Sequence, residues 1–250
     1  MINYKSKREI EIMRQAGLIL AETRLELERH LKPGISTLEL DKIAHDFILS
    51  KGAYPSFKDY EGFPKSICTS VNEVVVHGIP NKKVILKDGD IISIDLGVEY
   101  QGYHADSAWT YPIGNVAPEI LKLLEVTEEA LFRGLEAVKP GNRVGDISYA
   151  IESFVKPYGY GIVKELAGHG IGRTLHEDPL ILNFGNPNTG ELLQEGMTIC
   201  IEPMINLGTA NIRLERDGWT IKTLDKKPSA HFEHMVAITK DGYEILTPKL

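Results

Sequence analysis

Cysteine is scarce in these 250 residues: Cys68 and Cys200 stand alone, with no CxxC pair. That removes a structural zinc cluster and a disulfide framework from consideration, and it suits a reducing compartment. No run of about 18 apolar residues occurs, and the N-terminal stretch with Lys5, Lys7, Arg8, Glu9 and Glu11 lacks the apolar segment of a secretory leader. The expectation is a cytoplasmic chain with no membrane partner. Excess positive charge is missing too: the net charge is −7, which gives no support to specific or general nucleic-acid binding. What is present, 42% apolar and 25% charged residues, is the composition of an ordinary globular protein.

Along the chain, Ser6 and Glu9 read as a capping box, and Ile10, Met13, Gly17, Leu20, Leu27 and Leu31 keep helical spacing. The pattern predicts a helix over 7–31, stopped by Lys32-Pro33-Gly34. Ser36 or Thr37 caps a second helix running to about Lys51. Residues 52–64 read as loop, Ile67 to Val76 as a strand pair or a strand and turn ending at His77-Gly78, 81–90 as a polar hairpin and 117–138 as a helix ended by a second Lys-Pro-Gly. The two stops lie 107 residues apart, and at that same offset Leu86–Asp95 (LKDGDIISID) lies over Leu193–Glu202 (LQEGMTICIE). The pattern implies one α+β catalytic domain over 1–250 with no N-terminal extension. Its two related halves, about 7–115 and 116–250, each deliver a strand-end carboxylate, Asp95 or Glu202, to a shared site.

The stretch Asp90–Asp106 reads as a strand ending in Asp95, a turn between Gly97 and Gly102, and a return to Asp106. Taken alone, these are turn and edge aspartates. Three further groups sit in apolar or glycine-rich settings: His169 in AGHGIG, Glu202 in TICIEP and Glu233 in HFEHMVAI. A predicted strand from Ala230 to Thr239 puts Glu233, Met235 and Ala237 on one face. The bland reading of Glu202 and Glu233 is a buried ion pair with Arg213, Arg216 or a lysine. The sharper one treats Asp95, Asp106, His169, Glu202 and Glu233 as the donor set for a pair of hard or borderline divalent ions. Such ions lower the pKa of a bridging water, polarise a carbonyl and fix an amine. Glu202 is then a candidate general base. His77 and His176, in turn-like settings, go to the substrate, one positioning it and the other stabilising an oxyanion. Their bland reading is surface or satisfied core histidine, and His30, His45, His104, His231 and His234 read as mostly structural. Tyr60, Phe63, Cys68 and Trp219 are core residues or the wall of an apolar pocket.

The motifs Ser66-Ile-Cys-Thr-Ser-Val-Asn-Glu-Val-Val-Val-His-Gly-Ile-Pro, Asp95-Leu-Gly, Tyr-His-Ala-Asp106, Gly168-His-Gly-Ile-Gly, Leu175-His-Glu-Asp-Pro, Ile201-Glu-Pro and Phe232-Glu-His together resemble the type I methionine aminopeptidases, over essentially the whole chain. The resemblance implies the creatinase-related pita-bread fold, a curved central antiparallel sheet covered by helices. It implies removal of the initiator methionine, when the second residue is small, by attack of a metal-bridged water. Two divalent ions (cobalt, manganese or iron) would be held by the five residues above, with His77, His176 and Glu202 catalytic. His77 and His176 would also contact substrate, and Tyr60, Phe63, Cys68, Leu175 and Trp219 would line the methionine pocket. Asn72, Val74 and Ser229 match positions that hold a monovalent cation in some relatives. The implied partners are nascent peptides carrying N-terminal methionine and, transiently, the ribosome, with the chain a monomer. Two positions depart from the pattern: His231 stands where relatives carry glutamine, and Leu175 where they carry an aromatic residue. No long insertion separates His176 from Glu233, which speaks against the type II subclass. Two other readings compete: an Xaa-Pro aminopeptidase or dipeptidase of the same fold, whose members usually carry a large N-terminal domain, and a catalytically dead binding protein.

Overall fold

The computed structural model describes residues 2–250. Helix α1 (Lys7–Glu28) begins at Ser6, whose hydroxyl accepts from the Glu9 N–H while the Glu9 carboxylate accepts from the Ser6 N–H. Helix α2 (Thr37–Ser50) repeats the device with Ser36 and Glu39. Each box satisfies two backbone donors that a helix start otherwise leaves unpaired. α1 stops short of the predicted 31, because His30 and Leu31 close it with tight bonds to Leu27 (2.9 Å) and Glu28 (3.2 Å).

Five strands follow: β1 (Tyr54–Pro55), β2 (Ile67–Val71), β3 (Val74–Val76), β4 (Ile91–Tyr100) and β5 (Tyr103–Pro112). β4 and β5 form a hairpin over a two-residue turn at Gln101-Gly102, where both φ are positive (51° and 80°), as a tight hairpin turn requires. After α3 (Pro118–Glu136) and α4 (Val144–Val155) come β6 (Gly161–Ile162), β7 (Gly168–Gly170), β8 (Glu177–Ile181), β9 (Thr198–Ile201) and β10 (Met204–Asn206). The last are β11 (Ile212–Leu214), β12 (Ile221–Thr223), β13 (Ser229–His231), β14 (His234–Thr239) and β15 (Gly242–Ile245).

Every strand pairing is antiparallel. β4 pairs with β1 and β2 and, separately, with β5. The second large sheet runs β15-β14-β9-β7-β8, and two small sheets, β13-β10-β6 and β11-β12-β3, complete the set. α1 and α2 lie over the first sheet. Met13, Leu20 and Leu40 pack there against Ile92, Ile94, Leu96 and Val98, the alternate residues of β4, so Asp95 faces the opposite way. α3 and α4 cover the second, where Leu131, Ile147 and Ile151 meet Ile199, Ile201 and Val236.

The same backbone bonds recur 107 residues apart. Gly34 N–H donates to Leu86 O (2.8 Å) and Gly141 N–H to Leu193 O (3.1 Å); Thr37 N–H donates to Val84 O (2.9 Å) and Val144 N–H to Glu191 O (3.0 Å). Those bonds also correct the hairpin expected over 81–90. Val84, Leu86 and Asn81 bond the residues around the start of α2, Gly89 and Asp90 bond Ile113 after β5, and only Ile85 makes an isolated bridge, to Ser36, so the segment is an irregular loop and not a hairpin. The strand expected over 230–239 is divided as well: β13 pairs with β10 and β14 with β9, leaving Phe232 and Glu233 between them. The partner strands are themselves interrupted at Glu202-Pro203, and proline has no N–H for the ladder. Likewise Gly218–Thr223 is strand only from Ile221, because the Asp217 carboxylate takes the Trp219 and Thr220 N–H groups (2.9 Å each) into a turn. Among the described residues, no helix is long and apolar enough to cross a membrane.

Candidate active site

Asp95 and Asp106 reach one face from adjacent strands. Asp95 is opposite Ala108 and Gly97 is opposite Asp106, so the carboxylates are diagonal neighbours. β5 is then stitched to the chain before β14. Glu233 N–H donates to Ala108 O (2.8 Å), the Ser107 hydroxyl to Glu233 O (2.7 Å) and the Thr110 hydroxyl to His231 O (2.7 Å). This lays Glu233 beside the two aspartates, and ligand oxygens of Asp95, Asp106 and Glu233 lie within 4.8 Å of one another. From the other half, Glu202 follows β9 and His169 comes from β7, its Nε2 3.7 Å from Glu202 and 3.9 Å from Asp106. β7 gets this close to β9 because residue 168 is glycine: a Cβ there would sit 2.2 Å from the Cys200 carbonyl oxygen.

Whether this cluster suits metal ions is decided by its charges. The bland reading fails: Arg213 pairs with Glu215 (2.9 Å), and among the described residues the ionisable partners of Glu202 are His169 and His231, with no lysine or arginine on Glu202 or Glu233. One buried oxygen each of Asp95, Asp106 and Glu233 takes no hydrogen bond. Burial pushes Asp95 up to about 6, against the pull of His231 and a hydrogen bond with Asp106. Burial, then the charges of Glu233, Asp95 and Glu202, hold Asp106 well above the usual carboxylate range. Glu202 and Glu233 are raised for the same reasons, burial first. Such a group of carboxylates needs protons or cations to coexist. His169 is pushed down to about 4, by burial and then by His176. Its Nδ1 lies 2.8 Å from the Gly170 carbonyl, which only accepts, so Nδ1 carries the hydrogen and the Nε2 lone pair faces the carboxylates. Acidic oxygens with one neutral imidazole fit divalent ions. Cys200 also comes within 4.8 Å of His169 and Glu233, but burial, then Glu233, keeps its thiol protonated and a poor ligand.

A cavity of about 160 Å³ lies beside this cluster, with Tyr60, Phe63, Cys68, Leu175 and Trp219 in its wall. Phe63 and Trp219 meet edge to face at 5.2 Å. A wider groove of about 620 Å³ lies on the other side, and His77, Asp95, His169, His176 and Glu202 border both. His77 holds a positive φ of 57°, a strained backbone for a non-glycine residue, with its ring 6.4 Å from Trp219. His176 hydrogen-bonds the Tyr60 hydroxyl through Nδ1 (2.9 Å) and stacks its edge on His169 at 4.4 Å. Burial lowers both, His77 to about 4. The five predicted ligands, both substrate histidines and the pocket residues thus converge. Asn72 and Ser229 are also adjacent: Ser229 N–H donates to Asn72 O (2.9 Å), and Val74 pairs with Lys222 nearby. The Asn72 carboxamide is already engaged by Asp90 (2.8 Å) and by the Ile91 N–H (3.0 Å).

His231, expected to be mostly structural, is buried at the edge of the cluster with its Nε2 3.5 Å from Glu202 and without a hydrogen bond. Its spacing of two from Glu233 was the available signal, since strand residues so spaced share a face.

Comparison with known proteins agrees with this geometry. The profile described as Metallopeptidase family M24 matches residues 11–240. The chain belongs to that family. Membership in a metallopeptidase family carries divalent-metal binding with it. The chain is 56% identical to methionine aminopeptidase 1 of Bacillus subtilis over 247 residues, 99% of each chain. It superposes on the crystal structure of methionine aminopeptidase from Rickettsia prowazekii with a TM-score of 0.97 at 46% identity, covering 99% of this chain and 100% of that one. The prolidase of Pyrococcus furiosus gives 0.81 at 26% identity, but only 65% of that chain is covered. The fold is accordingly the pita-bread fold of the M24 family.

Proposed function

We propose that this M24 peptidase removes the initiator methionine from nascent polypeptides whose second residue is small, acting in the cytoplasm as a monomer that meets the ribosome transiently. The observation that carries the reading is a cavity with Phe63, Leu175 and Trp219 in its wall, set against four buried carboxylates, all held above their ordinary range, with no lysine or arginine among them. Relatives at 44–56% identity named as methionine aminopeptidases support it. Asp95, Asp106, His169, Glu202 and Glu233 would hold two divalent ions, manganese, iron or cobalt. When bound, these supply Lewis acidity to a water and to the scissile carbonyl.

The chain's own residues do the rest. The cavity accepts the methionine side chain between Phe63, Trp219, Leu175 and Cys68, and excludes water from it. Glu202 takes the proton of the attacking water and passes it to the leaving amine. If the Tyr60 hydroxyl donates to His176 Nδ1, the imidazole carries its hydrogen on Nε2 and offers it to the developing oxyanion. His77, at the border of cavity and groove, positions the peptide. Asn72, Val74 and Ser229 form the proposed monovalent-cation position, through backbone oxygens because the Asn72 side chain is engaged.

The test is release of free amino acid from Met-Ala-Ser, Leu-Ala-Ser and Ala-Pro-Ser by chelator-stripped protein, with and without manganese, iron or cobalt. Metal-dependent release from the methionine peptide alone is expected. Release only from the proline peptide would assign the sister activity, and no release with any metal would leave a binding protein.

A further inference from the structure

The N-terminal segment, which the reaction scheme above does not use, is tied directly to the substrate side of the site. Lys5 is buried, and its Nζ donates to Glu177 Oε2 at 2.6 Å and to Asn3 O at 3.0 Å, while its backbone N–H donates to Gly196 O at 2.7 Å. The Asn3 carboxamide donates to the same Glu177 oxygen (3.3 Å). The other oxygen, Oε1, accepts the N–H groups of Arg173 (3.0 Å) and Thr174 (3.3 Å). Glu177 is therefore the hub of a turn whose next residues are Leu175, in the cavity wall, and His176, at the border of cavity and groove. Burial alone would raise the Glu177 carboxyl; the Lys5 ammonium and these hydrogen bonds outweigh it and hold it below its ordinary value. The lysine reaches Glu177 only because residue 172 is glycine: a Cβ there would lie 2.5 Å from Lys5 Cε and 2.6 Å from Glu177 Oε1.

We propose that Lys5 is a positioning residue for the hydrolytic reaction: its ammonium fixes Glu177, which fixes the 173–177 turn that presents His176 and Leu175 to the substrate. This rests on the function proposed above. It assigns the segment from Asn3 to Lys5 to the substrate site, since Asn3, Thr174, His176 and Glu177 together line the groove. A surface ion pair would contribute little, but this one is enclosed, and loss of the lysine leaves a buried carboxylate without its counter-charge. The turn then gives up its backbone acceptor or lets water in.

The test compares Lys5→Met and Glu177→Gln with wild type, all loaded with manganese. Methionine release from Met-Ala-Ser, manganese affinity by titration calorimetry and amide hydrogen exchange are measured on each. Both variants are expected to lose at least about tenfold in kcat, the scale of outer partners of a catalytic group. Manganese affinity should stay within about twofold, since neither residue is among the proposed ligands, and exchange at Arg173 and Thr174 should accelerate at least about tenfold against amides of α3. A kcat within about twofold of wild type in both variants, or exchange that quickens equally throughout the chain, overturns the proposal. Should Lys5→Met not fold, Glu177→Gln decides alone. Should wild type itself release no methionine, the functional reading falls, and exchange at Arg173 and Thr174 still decides whether Lys5 orders the turn.

Discussion

Stripping the metal should turn the carboxylate cluster into a pH-dependent weakness of the fold. Asp95 is pushed from 3.8 to about 6, so the folded chain keeps a proton that the unfolded chain has released. Stability from this group is full below pH 4 and is lost as pH rises through 6, a loss of about 3 kcal/mol by pH 7. Asp106, Glu202 and Glu233 are raised in the same direction and extend the loss to higher pH. Histidines act oppositely: His77 and His169 at about 4, and His234 at about 3, resist protonation in the folded state and subtract stability as pH falls below 6.5. From about pH 7.5, a full unit above the ordinary histidine value, the histidines are nearly neutral in both states and the carboxylates dominate. Urea denaturation of stripped protein from pH 7.5 to 8.5 should therefore show stability falling with pH, by about 1.4 kcal/mol per pH unit for each carboxylate proton the folded chain still holds. Saturating manganese should abolish the slope, because the ion replaces the proton and binds only the folded form. A stripped protein whose stability is flat or rises over that range would refute the reasoning. An unchanged slope with manganese would do the same.

Three substitutions probe other parts of the site. Glu202→Ala and Asp106→Asn should each lower kcat by at least about 10²–10⁴ while circular dichroism stays native; near-native turnover in either would remove the assignment. Trp219→Ala opens the cavity beside Phe63 and should cost about 1–3 kcal/mol in kcat/KM for Met-Ala-Ser, mainly through KM, so an unchanged KM would place methionine elsewhere. Gly168→Ala forces a Cβ against the Cys200 carbonyl at 2.2 Å and should destabilise by about 1–3 kcal/mol. An unaltered melting temperature would mean that β7 and β9 are not this close.

Local features were legible from the residues in proportion to how local they are. The Ser6–Glu9 box, the Lys-Pro-Gly stops and a β4–β5 hairpin follow from short-range spacing, but β4 does not end at Asp95: it pairs on through Gly97 to Tyr100, which leaves Asp95 mid-strand and narrows the expected Gly97–Gly102 turn to Gln101-Gly102. The 107-residue repeat was readable because both copies keep the same turn and strand chemistry, seen in the matching bonds of Gly34 and Gly141. What depended on partners distant in sequence was not. The break at Phe232–Glu233 follows an interruption at Pro203 in other strands, and the loop over 81–90 is shaped by the turn before α2. The spacing of His231 from Glu233 is readable, but its approach to Glu202 is not, because nothing near it in sequence announces a partner 29 residues away. Lys5 lay hidden for the same reason, since its partner Glu177 is 172 residues on.

The most direct test of the metal centre is anomalous diffraction from crystals grown with manganese, recorded on both sides of the manganese absorption edge. Two peaks within coordination distance of the side chains of Asp95, Asp106, His169, Glu202 and Glu233, both absent in Asp106→Asn, are predicted. A cluster with no peak, or a peak elsewhere that survives that substitution, would contradict the account.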